Sequence, residues 1–215
     1  MSQPTLDLAS AKPTLRFDPG PHRYYLDPAG EELPSVTRCL EDCGLIDFSM
    51  VPRDVLERAQ ERGTRVHRAL HYLDDGELDQ DTLDEELHGY VMAYLAFKNQ
   101  CGFTPHLVEH RIFSLAHRWA GTLDRTGELL RKDGGSDPCI VDFKSGMVLP
   151  GHRIQLAAYQ SGLPDARKYR RITLALRQDG TYKVHEYDGK DYGRDLNVFH
   201  AAVALWHWKH DNGRR

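Results

Sequence analysis

The sequence predicts one α/β domain in which a central mixed β-sheet is flanked by helices, with a helical lobe on its N-terminal side. The 215 residues, 40% of them hydrophobic and 28% charged, suffice for one buried core, whereas a second full domain would be crowded. Long segments in the first half repeat apolar residues at helical spacing. Short β-rich runs separated by turns occupy the second half. We therefore assign the helical lobe to 34–102, the sheet core to 105–187 and a C-terminal helix to 191–210.

The N-terminal segment is expected to contribute little regular structure. Residues 1–14 are predicted to be disordered or loosely attached. Residues 22–27 form a β-rich run followed by a Pro-Ala-Gly turn, which predicts a strand. Ser35 is a suitable N-cap for a short helix that extends to about Cys43, and Gly44 favours its end.

Two long helices are predicted next, over 53–73 and 83–101. The apolar stripe of the first consists of Val55, Leu56, Ala59, Gly63, Val66, Leu70 and Leu73. Helical spacing in the second is shown by Leu87, Val91, Tyr94, Leu95 and Lys98. Gly102 is the expected end of the second helix. Together the two helices should form the main part of the lobe.

The second half of the chain contains the predicted sheet. Its strands are assigned to 105–115, 119–130, 139–144, 169–176 and 181–187, the last two joined by a turn at 178–180. A segment of good helix formers without glycine or proline, residues 153–161, predicts a helix between them. The C-terminal helix is expected to bury Val198, Ala202, Leu205 and Trp206.

Two acids and a lysine are expected to share one surface of this sheet. Side chains alternate along a strand, so Asp142 and Lys144 lie on the same face. A glycine-rich hairpin could bring Asp124 alongside Asp142 from the preceding strand. Two close carboxylates repel unless a divalent cation lies between them, and oxygen ligands of this kind suit Mg²⁺ or Mn²⁺. A lysine beside the cation can stabilise the charge on a phosphorane, which indicates phosphodiester hydrolysis.

Three motifs carry a resemblance to a known family. They are Gly-Thr-Leu-Asp at 121–124, Asp-Phe-Lys-Ser-Gly at 142–146 and Gln-Leu-Ala-Ala-Tyr at 155–159. In this order and spacing they resemble the RecB-type branch of the PD-(D/E)XK nuclease superfamily. The resemblance implies a restriction-endonuclease-like fold and a histidine on an upstream helix, which His67 in a Gly-x-x-x-His motif supplies. The superfamily's proline before the first Asp is missing, because Leu123 stands there.

The resemblance implies a role for each residue of these motifs. The implied metal ligands are His67, Asp124, Asp142 and the backbone carbonyl of Phe143. The implied catalytic residues are Asp124, Asp142 and Lys144. The implied DNA contacts are Ser145, Gln155 and Tyr159. Glu109 remains open: it is either a metal or water ligand, with a second ion near it, or a solvated acid at a strand edge.

Histidine and tryptophan also have ordinary structural uses. His67 falls at the border of its helix's apolar stripe, where a core-edge histidine is the alternative to a metal ligand. Gly63, one turn earlier, should permit close backbone approach. The other eleven histidines are expected at the surface. Trp206 and Trp208 could stack on bases, although helix packing is the more frequent use of tryptophan.

The charge distribution bears on DNA as a partner. The net charge of −4 is a mild argument against nucleic acid, because phosphate contacts need clustered cations. Acidic residues concentrate at 74–86, however, which leaves room for a basic side. Candidate DNA contacts are Arg58, Arg62 and Arg65 on the first long helix, which could instead be solvated and paired with Glu57 and Glu61. Residues 167–171 form a second basic run.

Composition also argues against several other classes. No apolar run approaches the roughly 20 residues of a membrane span, and no leader pattern is visible at the N-terminus, which predicts a cytoplasmic protein, in the host cytoplasm if the chain is viral. The four cysteines form no C-x-x-C pair. Relatives with an iron–sulfur cluster use three cysteines near the C-terminus, and none follows Cys139, so no cluster is expected.

We therefore expect a deoxyribonuclease that depends on Mg²⁺ or Mn²⁺. The resemblance favours an exonuclease that processes DNA ends in recombination, repair or phage DNA metabolism, with a single-strand annealing or helicase protein as a possible partner. Two alternatives remain: a DNA endonuclease, and a catalytically silent DNA-binding or assembly module. Digestion polarity, strand preference and oligomeric state stay open.

Overall fold

The computed structural model describes residues 13–20 and 22–213, which contain eight strands and five α-helices. The strands are β1 (Thr14–Asp18), β2 (Arg23–Asp27), β3 (Glu31–Leu33), β4 (Phe103–Ser114), β5 (Trp119–Leu130), β6 (Ser136–Lys144), β7 (Arg170–Leu176) and β8 (Tyr182–Tyr187). The helices are α1 (Val36–Asp42), α2 (Arg53–Asp75), α3 (Glu85–Cys101), α4 (His152–Ser161) and α5 (Tyr192–Asn212).

The main sheet has five strands in the order β4-β5-β6-β7-β8. Neighbouring strands are antiparallel except β6 and β7, which are parallel. Parallel neighbours require a crossover connection, and α4 supplies it between these two strands. The prediction of an α/β domain with a central mixed sheet flanked by helices is thus confirmed.

Helices cover both faces of this sheet. On one face α2 and α3 pack through Leu70, Tyr94 and Phe97 against Val141 and Phe143 of β6. On the other face α1, α4 and α5 form a second core that contains Leu40, Leu156 and Phe199. The expected lobe over 34–102 was therefore wrong in one respect. Its first helix, α1, belongs to the face opposite α2 and α3, because its buried side chains pack against α4, α5 and β5.

The small sheet β1-β2-β3 was predicted only in part. The strand over 22–27 is present as β2, but the disorder assigned to 1–14 is wrong at Thr14, which begins β1, while residues 1–12 lie outside the described part of the chain. Tyr24 and Leu33 bury against Ala120 of β5, and the Tyr24 hydroxyl lies 2.8 Å from Thr122 Oγ1. The small sheet therefore packs beside the start of β5.

The helix ends follow the predicted signals. Ser35 caps α1, since its Oγ accepts a hydrogen bond from the N–H of Arg38 at 3.0 Å. Gly102 ends α3 with a left-handed φ of 59°, a conformation that glycine adopts without strain. The turn before β8 is also as predicted, with Gly180 at φ 82° and the N–H of Arg177 bonded to the carbonyl of Thr181 at 3.0 Å.

The apolar stripe of α2 was predicted correctly only in its second half. Val66, Ala69 and Leu70 are buried in the core, whereas Val55 is 44% exposed. Leu56 and Ala59 are half-buried, as is Gly63. A helix of 23 residues is about 35 Å long. Only its second half is buried in the core, and the residues of the first half are exposed or half-buried.

The buried face of α5 differs by one position from the prediction. Ala202 and Trp206 are buried as expected, but Val198 is 36% and Leu205 43% exposed, and Phe199 and Val203 take their places in the core. Trp206 Nε1 donates to a carboxylate oxygen of Asp42 at 2.9 Å, which identifies a packing tryptophan. No helix in the described part of the chain combines the length and apolar character needed to cross a membrane.

Candidate active site

A cleft of about 1060 Å³ runs beneath α2 and contains most of the predicted site residues. Its floor is formed by β5, the end of β6 and the following turn, and α4 closes one side. The predicted residues that line it are His67, Glu109, Asp124, Asp142, Phe143, Lys144, Ser145, Gln155 and Tyr159. Arg58, Arg62 and Arg65 are not among its lining residues.

Asp124 lies where β5 and β6 separate. The ladder between these strands ends at the pair Arg125 and Val141, so Asp124 and Asp142 occupy the next positions on each strand. Beyond that pair, Asp124 Oδ2 accepts a hydrogen bond from the N–H of Phe143 at 2.6 Å. The side chain takes the place that a main-chain carbonyl would have in a continued ladder.

Glu109 on β4 lies opposite Asp124, on the side of β5 that faces away from β6. The β4–β5 ladder pairs Val108 with Arg125 and His110 with Leu123, and skips the position between them. Glu109 has a left-handed φ of 46°, which costs an ordinary residue on the order of 1–3 kcal/mol and persists only where the surroundings fix it. The backbone thus departs from regular strand geometry where Glu109 faces the cleft.

His67 completes a cluster with these two acids. Its Nδ1 lies 3.6 Å from Asp124 Oδ1 and 3.7 Å from Glu109 Oε1. Ligand atoms of the three residues all lie within 4.8 Å of one another, and this is the one such cluster of three among the described residues. The structure therefore brings Glu109 next to His67 and Asp124. Of the two alternatives for Glu109, the solvated acid at a strand edge does not fit this position.

The electrostatics of the cluster reflect three charges in a small buried volume. Burial by itself lowers the pKa of His67, but the carboxylates of Asp124 and Glu109 outweigh it and raise that pKa to about 9. Burial raises the pKa of Asp124 to about 6, and the negative charges of Asp142 and Glu109 act in the same direction. Burial also acts to raise the pKa of Glu109, but contacts with His67 and Arg125 lower it.

Asp142 and Lys144 form an ion pair on the same face of β6, as alternation along the strand predicted. Lys144 Nζ lies 2.7 Å from Asp142 Oδ2, and both side chains are mostly buried. Burial acts to lower the pKa of Lys144, but the carboxylates of Asp142 and Asp124 raise it above its ordinary value. Asp142 is not part of the 4.8 Å cluster, and its ion-pair partner is Lys144.

Arg125 supports this arrangement from below, and the sequence analysis missed it. Its side chain is fully buried and its Nη1 donates to Glu109 Oε1 at 3.1 Å and to the carbonyl of Asp124 at 2.6 Å. Its Nε donates to Asp74 Oδ2 at 2.7 Å. Asp74 in turn accepts from Tyr94 and Lys98 at 2.8 and 2.7 Å. An arginine in a strand that is otherwise buried was the available signal, since such a residue needs a partner.

Gln155 and Tyr159 face the cleft from α4, as their spacing of four predicted. Gln155 Nε2 lies 3.2 Å from the Tyr159 hydroxyl and 3.3 Å from Thr37 Oγ1 of α1. The amide oxygen of Gln155 is buried and has no hydrogen-bond partner. An added Cβ at Gly121 would approach the Tyr159 ring to 2.7 Å, so the β5 backbone and this ring are in close contact.

Ser145 and Gly63 mark where α2 crosses the end of β6. A Cβ built on Gly63 would lie 3.6 Å from Ser145 Oγ, which is an ordinary van der Waals distance. Gly63 was expected to permit close backbone approach, but its surroundings leave room for a Cβ, so the approach is not close enough to require glycine. A methyl group fits at this position, whereas a longer side chain would extend into the cleft.

The predicted basic surfaces are largely neutralised by acids. Arg58 pairs with Asp54 at 2.7 Å, and Arg65 reaches Asp84 and Glu86 at the start of α3. These partners differ from Glu57 and Glu61, which the solvated alternative named. Arg62 is half-buried and its Nε has no partner.

The basic run at 167–171 does not form one exposed patch either. Arg171 is 1% exposed and donates to Asp195 at 2.7 Å, while Arg170 bonds to Glu186. Arg68, on the same helix as His67, instead lines the cleft.

His152 corrects the expectation that all the remaining histidines lie at the surface. It is 3% exposed, begins α4 and lines the cleft. The sequence offered a signal for it: residues 152, 155 and 159 share one face of a helix, and the last two belong to the Gln-x-x-x-Tyr motif.

The donor set of the cluster fits a divalent cation. Two carboxylates and one imidazole offer two hard oxygens and one nitrogen, a combination that suits Mn²⁺ and is compatible with Mg²⁺ through the oxygens. Burial is the main cause of the raised pKa of Asp124, and the negative charges of Asp142 and Glu109, which add to it, would be balanced by a cation between the acids. The residues present therefore fit the metal that the resemblance implies.

Comparison with known proteins adds no assignment. No protein-family model matches the chain, and no curated protein matches it significantly.

Proposed function

We propose that this chain is a metal-dependent deoxyribonuclease that hydrolyses DNA phosphodiester bonds, and that it belongs to the RecB-type branch of the PD-(D/E)XK superfamily. One observation carries the proposal. Acids from three neighbouring strands, β4, β5 and β6, meet a histidine from α2 at one cleft, with a lysine paired to the third acid. The proposal includes the finer fold assignment, a restriction-endonuclease-like arrangement of the mixed sheet.

The cluster of His67, Glu109 and Asp124 would hold the cation. Asp142 and the carbonyl of Phe143 are further donors suggested by the resemblance, and Phe143 already contacts Asp124 through its N–H. A bound Mg²⁺ or Mn²⁺ supplies Lewis-acid stabilisation of charge on the phosphoryl oxygens.

The chain's own residues supply binding and orientation. Lys144 is held by Asp142 at the cleft surface, so its ammonium group can donate hydrogen bonds to the attacking water and to a phosphate oxygen. The water oxygen forms the new bond to phosphorus while the bond to the 3′ or 5′ oxygen breaks. Gln155 and Tyr159 form a polar wall on the α4 side, where the amide N–H of Gln155 donates to the Tyr159 hydroxyl.

Few cations face the cleft, which bears on the DNA that it accepts. Arg68 and Lys144 are the Lys and Arg side chains among its lining residues. A long duplex held by many phosphate contacts needs more positive charge than this. A DNA end that enters beneath α2 needs fewer contacts, and we include exonuclease activity in the proposal on this ground.

The experiment compares linear and covalently closed circular DNA. Each is incubated with the purified protein in Mn²⁺, in Mg²⁺ and in excess chelator, and the linear DNA carries an end label. We expect loss of the end label with either metal, no cleavage with the chelator, and intact circles. Cleavage of circles would favour the endonuclease alternative, and absence of cleavage with both metals would favour the silent binding module.

Matched variants connect the activity to the site. Asp142→Ala and Lys144→Ala should abolish cleavage and leave the protein folded, although the loss of one partner of this mostly buried ion pair should lower its Tm. Asp165 and Lys168 form an equally close ion pair at 2.8 Å but are about 70% exposed and lie outside the cleft. Asp165→Ala and Lys168→Ala should therefore cleave like the wild type. Full activity in the Asp142 or Lys144 variant would refute the assignment.

A further inference from the structure

His152 occupies a position in the cleft to which neither the motifs nor the metal cluster assigns a role. It is 3% exposed and shares one face of α4 with Gln155 and Tyr159. All three residues line the cleft that contains Asp142 and Lys144. A buried histidine in this position can contact whatever molecule fills the cleft.

The protonation pattern of its ring follows from one hydrogen bond. The N–H of Leu149 donates to His152 Nδ1 at 3.1 Å, so Nδ1 is an acceptor and carries no proton. A neutral imidazole with Nδ1 unprotonated must carry its proton on Nε2. Among the residues that the structure describes, none accepts a hydrogen bond from Nε2. Burial, aided by the positive charge of Lys144, lowers the pKa of His152 to about 4, which keeps the ring neutral.

The ring is held firmly in this orientation. The N–H of His152 donates back to the carbonyl of Leu149 at 3.1 Å, so the two residues form a reciprocal pair of contacts. Gly151 packs against the segment between α1 and α2, where an added Cβ would come within 2.4 Å of the carbonyl oxygen of Leu45. The turn before α4 therefore has little freedom, and the Nε2–H direction is preorganised.

We propose that His152 is a substrate-binding residue that donates its Nε2–H to a non-bridging phosphate oxygen of the DNA strand beside Lys144. The inference rests on the proposed nuclease function. A phosphodiester carries acceptor oxygens only, and the cleft offers it few cations, so neutral donors must supply part of the binding. His152 provides such a donor in the cleft that contains the cationic one.

Two substitutions separate this role from a purely structural one. In His152→Gln the side-chain amide nitrogen can replace Nε2, whereas the acceptor for the N–H of Leu149 is lost. In His152→Asn the amide oxygen can replace Nδ1 and keep the contact with Leu149, whereas the distal donor is lost. A substrate-binding role predicts that Gln is the better replacement, and a structural role predicts the opposite.

Binding of a short fluorescein-labelled single-stranded oligonucleotide is measured by anisotropy with Ca²⁺, and its cleavage rate is measured with Mn²⁺. We expect His152→Asn to weaken binding by about tenfold or more, because a hydrogen bond to a charged group is lost, and His152→Gln to stay within about threefold of the wild type. Equal affinity of both variants and the wild type, or weaker binding by Gln than by Asn, overturns the proposal.

A measurement on the wild type removes the risk that a variant fails to fold. Nitrogen-15 NMR of the histidine rings should show His152 with its proton on Nε2, and the Nε2–H resonance should shift when the oligonucleotide is added. A resonance that does not respond contradicts the proposal. A wild type that neither binds nor cleaves the oligonucleotide refutes the nuclease function together with this inference, whereas cleavage with an unaffected Asn variant refutes this inference alone.

Discussion

Replacing Arg125 with methionine tests how much the buried charge network beneath the candidate site contributes to stability. Arg125 is fully buried and its guanidinium group contacts Asp74, Glu109 and the carbonyl of Asp124. Methionine has a similar length but no charge or donor. The substitution leaves Asp74 with Tyr94 and Lys98 as partners, while Glu109 keeps only His67.

The expected loss follows from the burial of these partners. Removing one partner of a buried ion pair costs about 3–5 kcal/mol, because the remaining charge is left in a poorly solvated environment. Asp74 retains Lys98, so we expect the lower end, about 3 kcal/mol. In a chain of this size 1 kcal/mol corresponds to about 2–4 °C in Tm, which gives a decrease of about 6–12 °C.

The assay is thermal unfolding followed by circular dichroism, with Arg58→Met as the matched control. Arg58 pairs with Asp54 at 2.7 Å, the same distance as between Arg125 and Asp74, but both side chains are 71% exposed. Exposed substitutions of this kind change stability by about 0.5 kcal/mol or less. A Tm decrease of similar size in both variants would refute the argument that burial determines the energy of the pair.

Two further predictions concern the cleft and the metal. Gly63→Ala should bind the labelled oligonucleotide like the wild type, because a methyl group fits beside Ser145. Gly63→Leu should block the cleft and weaken binding without lowering the Tm by more than a few degrees. Equal binding by both variants would place the substrate elsewhere. Mn²⁺ at about one hundred times its Kd should stabilise the wild type by about 2.7 kcal/mol, and a chelator should reverse the effect. Asp124→Asn should not respond to Mn²⁺, and an equal response would exclude the cluster as the binding site.

The sequence predicted the sheet well because each of its strands carries a local signal. Turn residues bound the runs that became β4 to β8. Half of the ends of these strands are as predicted, the others differ by one or two residues, and the start of β6 differs by three. β1 and β3 lack such a signal. Their short segments become strands through pairing with β2 and burial of Tyr24 and Leu33 against β5, which are tertiary effects.

The buried faces of the helices were harder to predict. Periodicity shows which side of a helix is apolar, but it does not show which other element packs against that side. In α2 the stripe extends from Val55 to Leu73, but the buried residues of the helix are Val66, Ala69 and Leu70, with Leu73 packed at the edge of the core. In α5 the stripes through Val198 and through Phe199 are both apolar, and packing against α1 and α4 selects the second. Neither outcome can be derived from spacing within the helix itself.

The motif residues of the candidate site could be predicted from the sequence. The buried residues that hold them in place could not. Alternation along β6 is enough to place Asp142 beside Lys144. The contacts of Arg125 with Asp74 join positions that are 51 residues apart in the chain. The position of Glu109 depends on a left-handed backbone conformation. The sequence does not predict this conformation, because the residue is not a glycine.

Both ladders are interrupted where the acids meet. Glu109 and Asp124 are opposite residues on β4 and β5, and even in a regular antiparallel ladder opposite side chains share one face with Cβ atoms about 4.5–5.5 Å apart. The skipped pair replaces regular pairing at this point, and the Phe143 N–H beyond the end of the β5–β6 ladder donates to the Asp124 carboxylate instead. Strain at Glu109 and repulsion around Asp124 both oppose folding, while the contacts of Arg125 and His67 offset them. An arrangement that concentrates strain and like charge at one cleft is typical of a site whose residues serve a ligand rather than the stability of the fold.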